Sequence, residues 1–64
     1  MNYSFFLFSK LFDVYHTTDQ PYDILFEEVK VMYKEWLIWD VDNGKNIGEY
    51  ESMCNYLSET VPTI

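Results

Sequence analysis

The stretch WLIWDVDNGKNIGEYE, residues 36–51, decides how the chain is read. It is rich in β-branched and aromatic residues up to Asn43-Gly44. Asn-Gly after such a run is the strongest short hairpin signal, because both central residues of a type I′ turn need positive φ. With Asn43-Gly44 as a two-residue loop, Asp42 faces Lys45, Asp40 faces Ile47 and Trp39 faces Gly48. Leu37, Trp39, Val41 and Tyr50 then share one face, and Trp36, Ile38, Asp40, Ile47 and Glu49 share the other. A Trp laid over a cross-strand glycine packs well, which gives Gly48 a structural reason.

A calcium loop competes for the same residues. An EF-hand loop started at Asp40 places Asp40, Asp42, Ile47 and Glu51 at positions 1, 3, 8 and 12. Position 5 is then Gly44, which has no ligand, and position 6 is Lys45, a cation where the sharp turn belongs. The glycine comes one residue early for a calcium cage, and the hairpin is preferred.

Outward from this segment the pattern is helical. Ser4, Leu7, Phe8, Leu11, Phe12 and Tyr15 recur at helical spacing and predict a first helix over 3–15, with a short strand over YSFFLF as the competitor. Thr18 or Asp19 is placed to cap a second helix, with Pro21 in its first turn. Leu25, Val29, Met32 and Trp36 step along that helix, with acids at its start and Lys30 and Lys34 near its end. The alternation of Val29, Val31 and Tyr33 leaves a strand open there. Ser52 is the expected cap of a short last helix, MCNYLSE, before Pro62, and VPTI reads as a frayed tail. The expected architecture is α+β in one small domain: two N-terminal helices, a β-hairpin over about 36–50 and a short C-terminal helix.

Composition narrows the function. Six Tyr, five Phe and two Trp in 64 residues are more rings than so small a core encloses, so some should lie at a partner or dimer surface. Eleven Asp and Glu against four Lys, with no Arg, give a net charge of −7. Such a chain repels a phosphate backbone and attracts basic surfaces. FFLF is too short for a membrane span and has no basic flank of a signal peptide before it. Cys54 is alone, so a reducing cytoplasm is the simplest location.

His16 reads as a helix-end residue and Cys54 as a small core residue. One His and one Cys without linked spacing support neither a zinc site nor a nucleophile–base pair. No enzyme, cofactor or metal site is therefore expected. The acids are the better candidates: Asp19, Asp23 and Glu27 stack along one helical face, and Asp40, Asp42, Glu49 and Glu51 cluster on and beside the hairpin. Fixed carboxylates in rows resemble a phosphate backbone to a protein that binds nucleic acid. The bland alternative is a solvated face, with Glu27 offset by Lys30 and Asp42 by Lys45.

The expected function is a small acidic inhibitor that binds the basic surface of a nucleic-acid-processing host or defence protein by charge mimicry. Size, acidity and aromatic surplus are the profile of compact inhibitors that phages and mobile elements encode. Asp19, Asp23, Glu27, Asp40, Asp42, Glu49 and Glu51 would supply charge, with Trp36 or Trp39 as the apolar anchor. The competing expectation is an assembly module that homo-oligomerises through exposed aromatics, its acidity serving solubility.

Overall fold

The computed structural model describes residues 2–16 and 20–61. They form three helices, α1 (Tyr3–Tyr15), α2 (Tyr22–Asn43) and α3 (Glu49–Thr60), with no strand among the described residues. The expected α+β fold and its β-hairpin are therefore corrected to an all-helical one.

α1 occupies the expected residues. The Asn2 side chain accepts a hydrogen bond from the Phe5 amide at 3.3 Å, satisfying one of the free donors of the first turn. Phe8, Leu11 and Phe12 form its buried stripe. The helix ends at His16, whose amide donates to the Phe12 carbonyl at 2.8 Å.

α2 starts after Pro21, at φ −57°, whose carbonyl accepts from the amides of Ile24 and Leu25 at 3.1 Å each. The expected caps Thr18 and Asp19 lie outside the described residues. The helix then runs without interruption through WLIWDVDN, where strand was expected. The reason is tertiary. Val29, Met32, Trp36 and Trp39 follow steps of three, four and three, so a helix turns all of them toward one side. As strand residues, Trp36 and Trp39 would point to opposite faces. Helix lets both reach α3: the Trp39 ring sits 5.5 Å from that of Tyr56, and the Trp36 indole reaches Ser52. Differences in intrinsic propensity amount to a few tenths of a kcal/mol per residue and are outweighed by this burial.

The turn also departs from the hairpin reading. Gly44 caps α2 at φ −96°, a conformation open to any residue, and its amide donates to the Asp40 carbonyl at 2.9 Å. Its requirement is space, since a Cβ there would lie 1.7 Å from Asp40 Oδ1 and 2.9 Å from Ser52 Oγ. Positive φ belongs to Asn46, at 69°, a residue type that tolerates the left-handed region. Gly48, not Ser52, is the N-cap of α3, and Ser52 lies buried inside the helix.

The three helices all touch one another around Phe8, Phe12, Met53 and Leu57, the largest fully enclosed hydrophobic side chains. The Phe8 ring is central, meeting Tyr33 edge-on at 5.5 Å, Trp36 at 6.0 Å and Tyr56 at 6.3 Å. Such contacts add roughly 0.5–1.5 kcal/mol each beyond the area they bury. Val61 closes the core after α3, and Pro62–Ile64, read from sequence as a frayed tail, lie outside the described residues.

The helical turn and the hairpin make opposite demands on two asparagines. Asn46→Ala should cost about 1 kcal/mol, because Ala keeps the Cβ that disfavours positive φ and loses the short polar side chain that makes it tolerable to Asn, whereas Asn43→Ala, at a helix end, should be nearly neutral. Urea denaturation of the two variants checks this; a large loss at Asn43 with none at Asn46 would restore the type I′ turn.

Candidate protein-binding face

The sequence-selected residues separate into two groups once folded. Trp36 is only 3% exposed and belongs to the core, where its Nε1 donates to Ser52 Oγ at 3.1 Å. The Ser52 hydroxyl in turn donates to Asp40 Oδ1 at 2.5 Å. Ser52 is fully buried, so this chain from Trp36 through Ser52 to Asp40 satisfies the indole and hydroxyl inside the protein. Asp40 is thereby committed to the α2–α3 junction. Trp39 is half-buried against Tyr56.

The remaining acids face solvent. Asp23 lies in the first turn of α2, and Glu49 and Glu51 in the first turn of α3, where the helix dipole favours negative charge. Glu27 is exposed and contacts Lys30 at 3.2 Å, the one lysine–carboxylate contact among the described residues. Asp42 is exposed, with no ion pair to Lys45. Asp19 lies outside the described residues. The spacing of four residues expected for an acidic row therefore survives at Asp23 and Glu27.

Two acids that the sequence reading passed over complete the surface. Glu28, Glu35 and Asp42 are seven residues apart, so they descend one side of α2 nearly in line at about 10 Å intervals. Glu28 approaches His16 Nε2 at 3.7 Å, and Glu35 accepts from the Tyr56 hydroxyl at 3.4 Å. Next to this row, Ile24, Val31 and Ile38 repeat at the same spacing and are all exposed. Both rows were legible as a seven-residue period, but ending the helix at Trp36 cut each of them short.

A groove of about 320 Å³ lies between α1 and α2, lined by Phe5, Phe6, Phe12, Leu25, Phe26 and Val29 with Lys10 and Asp13 among its polar groups. Lys10 and Lys30 lie over the rings of Phe6 and Phe26 at 5.4 and 4.9 Å, contacts between residues one helical turn apart. Among the described residues no three His, Cys, Asp or Glu side chains converge on a point that could hold a metal ion. No described helix is long and apolar enough to cross a membrane. Cys54 is a free, half-buried thiol packed against the core. The neighbouring Cys54 raises the Tyr15 phenol above its ordinary value.

Two measurements test the junction. Ser52→Ala leaves the buried Trp36 N–H without an acceptor and should cost about 1–3 kcal/mol. Adding Trp36→Phe removes that donor, so the double variant should lose less than the sum of the singles; strict additivity would show that the hydrogen bond carries nothing. Burial, then the nearby Glu35 carboxylate, raises Tyr56 above its ordinary 10.0. The unfolded chain therefore releases this proton first, the folded state binds more protons at high pH, and stability falls as pH rises. The contribution is complete below about pH 10 and is lost as pH climbs through the folded value. Denaturation at increasing alkaline pH should show this decline, and Tyr56→Phe should make it shallower.

No known protein family, curated protein or solved structure matches this chain.

Proposed function

We propose that the chain is a small acidic binding protein that occupies the basic surface of a nucleic-acid-processing protein and thereby inhibits it. The observation that carries this reading is the outward side of α2. There Glu28, Glu35 and Asp42 run down one margin of an exposed apolar row, and Asp23 and Glu27 stand on the other beside Lys30 and Lys34. The backbone of a 22-residue helix holds these groups at set intervals, so little further ordering is needed on binding. With a net charge of −7 and no Arg, the field attracts a cationic surface and opposes contact with nucleic acid itself. The free thiol of Cys54 is compatible with a reducing, cytoplasmic setting.

A second reading, homo-oligomeric assembly, has its own support in the exposed rings of Phe6, Tyr22 and Phe26 along the α1–α2 groove. Sedimentation separates the two: a stable dimer lost on Phe6→Ser and Tyr22→Ser favours assembly, whereas a monomer favours docking.

Partners captured on the immobilised chain should be basic proteins released by added salt, since interactions between exposed charges are screened within about 8 Å at physiological ionic strength. Glu28→Lys, Glu35→Lys and Asp42→Lys together should abolish capture with the helical spectrum unchanged. Capture indifferent to both salt and this reversal would rule out charge as the basis of binding.

A further inference from the structure

We infer that the element received by this face is an amphipathic α-helix with a basic margin, lying along α2 as a fourth helix. The inference rests on the reading of the chain as a binder of basic proteins and assigns the shape of what is bound. α1 and α3 cover only the side of α2 that carries Val29, Met32, Trp36 and Trp39. The other side exposes Ile24, Val31, Leu37, Ile38 and Val41, with Ile38 75% and Val41 67% accessible. Apolar residues all round a helix are the pattern of one that is covered on more than one side. From Ile24 to Val41 this surface extends about 26 Å, the length of a helix of nearly five turns.

The arrangement suits a helix rather than other occupants. Residues seven apart form a straight ridge, and ridges of one helix settle into the grooves of another. An interfacial membrane helix has a cationic margin, which anionic lipid attracts. Here the margin is Asp23, Glu27, Glu28, Glu35 and Asp42 against Lys30 and Lys34. A second copy would bring like charges together. With Val31 at the centre of an antiparallel pair, Glu28 of each copy would lie beside Glu35 of the other along one margin, and two molecules of net charge −7 repel over their whole surfaces. A helix bearing Leu or Ile along one stripe and Lys or Arg beside it places cations against those same carboxylates.

The test uses the full chain and three synthetic peptides of about 20 residues, long enough to cover the face. One has a Leu stripe at helical spacing with Lys on both margins. The second has the same composition scrambled so that no apolar face forms. The third keeps the Leu stripe and replaces Lys by Glu. Calorimetry should show binding of the first alone, with a gain of helical circular dichroism on mixing and an affinity that falls with salt. The double variant Val31→Ser, Ile38→Ser, both at exposed positions, should weaken binding about tenfold or more. Tyr3→Ser, exposed on α1, should leave it unchanged.

Equal binding of the scrambled peptide overturns the helical occupant but leaves the charge reading standing. Equal binding of the Glu peptide overturns the basic margin. Should the Lys-margined peptide fail while polylysine binds, the helix inference alone falls; if polylysine fails as well, the charge reading falls with it. A dimer of the chain that strengthens with salt and is lost in the Val31→Ser, Ile38→Ser variant would assign the face to a second copy and overturn the inference.

Discussion

The Trp36 indole must be buried and must also find an acceptor, and much of the local structure follows from meeting both demands. Its ring lies among Phe8 and Tyr33, while its N–H is answered by Ser52 from α3. A buried Ser hydroxyl needs an acceptor of its own, and Asp40, one turn beyond Trp36 on α2, supplies it. That bond holds the Asp40 carboxylate against the turn, where only a glycine leaves room for it at position 44. A single satisfied polar chain thus sets the register of α3 on α2 and the tightness of the connection between them.

The same requirement shapes the outside of the molecule. Once Trp36 and Trp39 turn toward α3, the 100° step of the helix sends Leu37, Ile38 and Val41 outward. Glu35 and Asp42 go with them, on the line that Glu28 begins. An exposed apolar ridge between carboxylates is therefore the other side of the way the core is packed. The binding reading rests on that surface, and both of the tryptophans chosen from sequence as anchors serve the interior more than the rim.

Legibility followed the distance over which each residue's role is decided. α1 was readable because Phe8, Leu11 and Phe12 are buried at a helical period, and the first half of α2 because Leu25, Val29 and Met32 pack against the same core at that period. Residues 36–50 were misread because Asn43-Gly44 carries a local signal for positive φ, whereas Gly44 is small to admit Asp40 and the left-handed residue is Asn46. Ser52 looked like a cap because Ser commonly is one; its contact with Trp36 joins residues 16 apart and has no local signature. In the candidate face, Asp23, Glu27 and Asp42 were identified from charge and spacing. Asp40 was included because an acid in a turn looks solvated until a buried hydroxyl is found against it.

The sequence by itself determined the sign and excess of charge, the buried stripe of α1 and the start of α2, because composition and short-range periodicity need no partner to be read. The tertiary structure decided whether residues 36–43 were helix or strand, which aromatic rings were enclosed and which acids stayed free. The physical reason is that helix and strand preferences in WLIWDV differ by only tenths of a kcal/mol per residue. Burying two tryptophans against one helix, with the Trp36 indole hydrogen-bonded, outweighs that difference.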